Sequence, residues 1–373
     1  MYLPSLPTLQ AYFRVDAATV QFTLSSFFVG LAIGQVFYGP VSDRIGRLRP
    51  LYFGLSVYVL ATVACVFAPS AETLTVARLF QALGGCAGIV ITRAIVRDRF
   101  ADPQEMGQAL SMLVLIMGVA PILAPLIGAQ LLEHLGWQSI FVFLAVFGSI
   151  CIFLVRRGVE ESWKRPEQPL RARDVLGIYT RLLGHRRFMG FALAGSTAQA
   201  GMFAYIAASS FVFIEVYGVT PSHFGWLFGL NAAGLITASQ INARLLRRHR
   251  AERVLRKALS ANALCGAAMI VLVSTGTGGI WGAALPLFGA ISCLGFSFPN
   301  SIAAAMAPFG DRAGMAAALL GTLQFTIAAL VSSAVGYLHD GTALPLAAVI
   351  FACGGAAYIL LRALTGGPVT ESA

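Results

Sequence analysis

Gly39-Pro40-Val41-Ser42-Asp43-Arg44-Ile45-Gly46-Arg47-Leu48-Arg49 is a short polar turn set between two long apolar runs. Its two glycines and a proline mark a break in helix, and four of its eleven residues are charged. The runs on either side, near 19–41 and 50–68, are each close to the roughly 20 apolar residues that a helix needs to cross hydrocarbon. The same alternation recurs outward from this turn, near 72–92, 106–131, 138–156, 188–214, 223–245, 257–274, 280–305, 313–338 and 343–364. Eleven spans are expected, and a twelfth apolar stretch at 1–13 precedes them.

The totals agree with that reading. Apolar residues make up 57% of the 373 and charged residues 11%, with a mean hydropathy of +0.77. A soluble domain carries about a quarter charged residues and has no core large enough to hide this much apolar surface. The bilayer is the solvent that accepts it. The net charge of +10 does not point to nucleic acid, because the basic residues lie in short runs between apolar stretches. If alternate loops face the cytoplasm, beginning with the turn at 39–50, they hold 24 of the 26 lysines and arginines. Arg78 lies inside a span, and Arg14 alone falls on the other face. Cationic loops stay on the cytoplasmic side, so the turn, the long polar segment and the C-terminus are expected there.

All six cysteines (Cys65, Cys86, Cys151, Cys265, Cys293, Cys353) fall within apolar segments, and no two form a CxxC pair. The five histidines (His134, His185, His223, His249, His339) sit at or near segment ends. No metal site and no disulfide framework are expected. Glycine and alanine recur four apart, as at Gly30/Gly34, Gly84/Gly88, Gly225/Gly229 and Ala317/Gly321, a spacing that lets helices approach closely in lipid.

The segment 156–187 is the one long polar stretch, with nine basic and four acidic residues plus Pro166 and Pro169. It divides the chain into an N-terminal half (1–155), a cytoplasmic linker (156–187) and a C-terminal half (188–373). Two six-helix bodies rocking about a central site are the expected architecture. The stretch at 1–13 contains Pro4 and Pro7 and gives about 20 Å of helix against about 30 Å of hydrocarbon. It reads as the outer end of a helix whose beginning lies upstream, with Met1 an internal methionine or the start of a truncated chain.

The turn at 39–49 resembles the loop motif between helices two and three of the major facilitator superfamily. Arg78-Leu79-Phe80-Gln81-Ala82-Leu83-Gly84 looks like the RxxQGxG of that family's fourth helix, with Ala82 in place of a glycine. Gly118-Val119-Ala120-Pro121-Ile122-Leu123-Ala124-Pro125-Leu126-Ile127-Gly128 resembles its fifth-helix antiporter motif. Met1-Tyr2-Leu3-Pro4-Ser5-Leu6-Pro7, Arg93-Ala94-Ile95-Val96-Arg97-Asp98 and Phe211-Val212-Phe213-Ile214-Glu215 narrow the likeness to the Bcr/CflA drug:proton antiporters. The resemblance implies an all-α major facilitator fold with its first helix truncated. It also implies an acidic residue directly before the Met1 run, and export of small amphipathic drugs in exchange for protons. The expected protein is a multi-pass monomer of the inner membrane that binds no nucleic acid and needs no cofactor beyond the proton gradient.

Roles follow residue by residue. Gly39, Asp43, Arg44, Gly46, Arg47, Arg97 and Asp98 form the expected cytoplasmic gate, in which a carboxylate meets the positive end of a neighbouring helix. The resemblance places that neighbour near Ala313-Gly314-Met315-Ala316. Arg78, an ionisable group about two turns inside a span, is a candidate for proton coupling with Gln81 one turn on. Glu215, closing its span, is the candidate proton carrier, because every acidic residue lies at a segment end or in a loop. Gly118, Pro121, Pro125 and Gly128 would bend helix five and limit leakage. Tyr2, Gln199, Tyr205, Asn231, Asn300 and Gln324 are the polar candidates for the substrate cavity. The rivals are a facilitator importing a small metabolite, a membrane-embedded enzyme and a helical receptor. Against an enzyme, the chain has no HExxH and no serine-nucleophile motif.

Overall fold

The computed structural model describes residues 1–100, 102–163, 172–309 and 313–365, and the side chains of parts of 103–122, of 172–176 and of 313 lie outside that set. A 3-10 turn (Leu3–Ser5) leads into α1 (Leu6–Phe13), followed by α2 (Ala17–Ile45), α3 (Leu48–Val66), α4 (Ala71–Arg99), α5 (Pro103–Leu135) and α6 (Trp137–Gly158). Then come α7 (Ala172–Gly184), α8 (Arg186–Ser210) with a π-helical turn (Phe211–Val216), α9 (Pro221–Leu245), α10 (Ala251–Ser274), α11 (Ile280–Met306), α12 (Ala313–Tyr337) and α13 (Leu344–Thr365). The described residues form helices joined by short turns, without strands, and nine of these helices are long and apolar enough to cross a membrane.

The helix boundaries follow local chemistry. Asp16 caps α2 by accepting the Thr19 N–H at 2.9 Å, and Ser70 and Thr73 form a reciprocal capping box on α4. The Thr19 hydroxyl and backbone bonds hold the Asp16 carboxyl below its ordinary range. Gly136, at φ +80°, separates α5 from α6. Each of the eleven apolar runs coincides with a helix, α2–α6 and α8–α13, and several of these helices, α2 and α4 among them, extend beyond their runs. Helix α7 departs from expectation, since a polar tether was predicted there. Val175, Ile178, Tyr179 and Leu182 repeat at helical spacing, and that apolar stripe is diluted to polar only when the whole segment is averaged.

Contacts group the chain into two compact units. The first comprises Met1–Pro169, Ile206–Ala232 and Ala329–Thr342, and the second Leu170–Tyr205, Ala233–Ala328 and Ala343–Ala373. In the first unit, Gly30 and Gly34 of α2 lie against Ala82 and Cys86 of α4, while Gly54 of α3 meets Ala87 and Gly84 of α4. In the second, Gly295 of α11 lies against Ala238 of α9, and Gly266 of α10 against Phe351 of α13. Large apolar side chains point the other way: Phe53, Leu60, Phe67, Trp226, Leu264, Leu285 and Leu330 are exposed on outward faces. Small residues at the helix contacts let backbones approach closely, as in helices packed within lipid, while bulky side chains are found both buried, as at Phe141 and Phe188, and exposed.

A Cβ on Gly84 would stand 2.9 Å from the Tyr58 Cα, whereas nothing lies within 4 Å of one on Gly88. Gly84→Val is expected to cost about 1–3 kcal/mol, the usual penalty of overpacking, and Gly88→Ala almost nothing. Melting temperatures of the purified variants in detergent check this, and equal values would contradict the packing described.

Candidate functional site

The turn between α2 and α3 is organised around Arg47. Its Nε donates to Asp98 Oδ2 at 2.7 Å, and its Nη1 donates to Ser42 Oγ at 2.9 Å and to Asp43 Oδ1. Ser42 is buried, and so is Arg47, at 5% exposure, whereas the Asp43 side chain is 58% exposed. Arg97 stands 3.9 Å from the other oxygen of Asp98 and is mostly in solvent. Arg44 is exposed, and Gly39 has open space where a Cβ would project. The ion-pair network thus joins the turn to the end of α4, with Arg47 as its hub and Asp43 as its outer member.

Helix α3 starts without help from its own sequence. Its N-cap, Arg47, makes no side-chain cap, and its first turn holds no acidic residue. Glu161, just beyond α6, supplies the missing acceptors: Oε1 takes the Arg47 N–H at 2.9 Å and Oε2 the Leu48 N–H at 3.0 Å. The Trp163 indole donates to the Asp43 carbonyl at 2.9 Å. Gly46 sits at φ +97°, where a Cβ would also come 2.9 Å from Glu161 Oε2, so the position demands glycine on two counts. Partial burial disfavours charge on Glu161, but the three backbone N–H groups of Leu48, Arg47 and Trp163 and the Arg47 charge outweigh it and hold its carboxyl below the ordinary range. The cap is therefore complete above the ordinary glutamate range and is lost only as pH falls through that lowered value.

Arg78 is buried in α4 at 5% exposure. Its guanidinium lies between two rings, 4.5 Å from the Tyr2 centroid and 4.1 Å from that of Phe27. Its Nη1 donates to Gln81 Oε1 at 2.5 Å, and Gln81 Nε2 passes the chain on to Thr62 Oγ1 at 2.8 Å. Its Nε has no hydrogen-bond partner among the described residues. Tyr2 is fixed in turn by Thr23 Oγ1 at 2.6 Å and by the Phe141 ring. The Arg78 guanidinium is thus held by π faces and one amide, with no carboxylate beside it among the described residues.

Along α5, Pro125 and Gly128 are buried, and the backbone of Met1 lies directly over Gly128. The side chains at Gly118 and Pro121 lie outside the described residues. Glu215 is exposed on the π-helical turn, a rare element that recurs at functional sites.

The polar candidates for the cavity fall in different units. Tyr2 and Asn231 belong to the first, where Asn231 Nδ2 donates to the Leu227 carbonyl at 3.2 Å. Gln199, Tyr205, Asn300 and Gln324 belong to the second. Gln199 is buried, with Oε1 without a hydrogen-bond partner among the described residues and Nε2 directed at Met202 Sδ. Tyr205 is buried and Gln324 half-buried. Asn300 is locked to Asn242 by paired amide bonds of 2.9 and 3.4 Å, which ties α11 to α9. Asn242, Thr62, Phe27, Glu161 and Trp163 escaped the sequence reading. Each acts through a partner far along the chain, and only the missing local cap of α3 signalled any of them.

The family model of the Major Facilitator Superfamily matches residues 1–333. An uncharacterized MFS-type transporter YdgK of Bacillus subtilis is 34% identical over 359 residues, covering 94% of this chain and 87% of the relative. A bicyclomycin resistance protein homolog of Haemophilus influenzae is 30% identical over 354 residues, covering 95% and 88%. Multidrug resistance protein D of Escherichia coli is 30% identical over 328 residues, covering 87% and 81%. Among solved structures, a D-xylose-proton symporter superposes with a TM-score of 0.73 at 13% identity, covering 97% of this chain and 94% of its own. A bacterial homolog of the human lysosomal transporter Spinster gives 0.71 at 14%, covering 98% and 91%. At those identities the likeness is one of fold.

Proposed function

The chain belongs to the Major Facilitator Superfamily, and from that membership we propose that it is a proton-coupled exporter of small amphipathic drugs that works by alternating access. The single observation that carries the reading is the buried Arg47 hub joining the α2–α3 turn to α4. It occurs in a chain whose relatives include a bicyclomycin resistance protein homolog and a multidrug resistance protein. An ion-pair network at a helix turn has two discrete states, made and broken, which is what a gate requires.

In this reading Asp43, Arg44, Arg47, Arg97 and Asp98 close the cytoplasmic side, with Gly39 and Gly46 shaping the turn. Arg78 and Gln81 respond to the proton, and Glu215 is the candidate carrier. Gly118, Pro121, Pro125 and Gly128 bend α5 to limit leakage. Tyr2, Gln199, Tyr205, Asn231, Asn300 and Gln324 offer polar contacts to an otherwise apolar substrate. The protein sits as a monomer in the inner membrane with the 156–187 segment and the C-terminus in the cytoplasm. The proton gradient is its driving force, and no cofactor is required.

The test is a drug-susceptibility panel in an efflux-deficient host. Expression is expected to raise the inhibitory concentration of at least one amphipathic antibiotic severalfold, and a protonophore to erase the difference. No protection across the panel, with labelled metabolites accumulating instead, would assign the chain to the importers.

A further inference from the structure

We propose that two linker residues just beyond α6, Glu161 and Trp163, are a working part of the gate, acting as positioning residues for the Arg47 network. The inference rests on the reading of the α2–α3 turn as a gate. A turn between two helices leaves unsatisfied carbonyls at the end of the first and unsatisfied N–H groups at the start of the second. Here members of both sets are met by one strap from more than a hundred residues downstream. Trp163 donates to the Asp43 carbonyl at the end of α2, and Glu161 accepts the first N–H groups of α3. A third bond, from the Trp163 N–H to Glu161 Oε1 at 3.1 Å, fixes the strap's own conformation.

The geometry makes this more than a surface contact. Arg47 carries two jobs at once: its backbone N–H is bound by Glu161, and its side chain binds Asp98, Ser42 and Asp43. Holding the backbone at Arg47 therefore aims the guanidinium at Asp98. The negative carboxylate also lies at the positive end of the α3 dipole, where an anion is favoured. Both strap residues stand at the start of the chain that links the two sequence halves.

The experiment uses the full chain in lipid nanodiscs and in proteoliposomes, comparing wild type with Glu161→Ala, Glu161→Gln, Trp163→Phe and Glu160→Gln. Hydrogen exchange of the peptide carrying the Arg47 and Leu48 amides is expected to quicken about fivefold in Glu161→Ala, as for the loss of one helix cap. It should quicken less in Glu161→Gln, which keeps one carbonyl acceptor, with the rest of α3 and α4 unchanged. Export is expected to fall severalfold in Glu161→Ala, to recover in part in Glu161→Gln, to fall mildly in Trp163→Phe and to stay at wild-type level in Glu160→Gln. Unchanged exchange in Glu161→Ala overturns the strap. Faster exchange with wild-type export overturns its role in the gate. If the wild type exports no drug at all, the transport reading fails by itself, and the exchange data still decide whether the strap caps the turn.

Discussion

Arg78→Ala is expected to abolish proton-driven export, and Arg78→Lys to restore little of it. Arg78 is a buried cation inside a membrane span, where charge is costly and is retained only for a role. Its surroundings are shaped for a planar group: Tyr2 and Phe27 cover the guanidinium and Gln81 receives one of its donors. A desolvated cation–π contact is worth up to about 2 kcal/mol, and lysine loses the stacking as well as the fork. Its ammonium is also more strongly hydrated, so burial there costs it more. Drug-dependent proton flux in proteoliposomes is the measurement, with size-exclusion profiles showing that both variants fold. Wild-type flux in Arg78→Lys would mean that charge alone matters at this position. Wild-type flux in Arg78→Ala would remove the residue from coupling altogether.

The second large effect is expected at Arg47. Arg47→Gln strips the hub of its charge and leaves Asp98 without its close cation. A hydrogen bond to a charged group in buried surroundings is worth roughly 1.5–3 kcal/mol, and the orphaned partner adds its own desolvation cost. Asp43→Asn removes only the outer member, whose side chain is 58% exposed, and an exposed pair is worth at most about 1 kcal/mol. Export should therefore fall far more in Arg47→Gln than in Asp43→Asn, with both variants inserted to wild-type levels. The reverse order in matched transport assays would return the weight of the gate to the aspartate and contradict the geometry described here.

What could be read from the chain without its structure was additive and local. Eleven apolar runs became the eleven long helices α2–α6 and α8–α13, because each segment's transfer into lipid depends on its own side chains. The family also showed in short motifs, since a turn such as Gly39–Arg49 or a pair such as Pro121 and Pro125 keeps its chemistry within one or two helical turns. Even the candidates at Arg78 and Gln81 were legible, being neighbours on one face of one helix.

Partners were another matter. Arg47 stands with Asp98 from 51 positions away and with Glu161 from 114, and Asn242 stands with Asn300 from 58. The family resemblance grouped Arg47 and Asp98 in one gate, but nothing in the local pattern of either segment marks Glu161 or Asn242 as a partner. Phe27 is an ordinary apolar-face residue and Tyr2 a candidate for the cavity alone until α4 brings a guanidinium against both rings. Which side chains meet is decided by where helices cross and how closely they approach. In this protein that is set by small residues such as Gly30, Gly54 and Gly84, which let one backbone rest on another. Membrane partition chose the helices from the sequence alone, and only the crossing geometry of those helices turned scattered charges into a site.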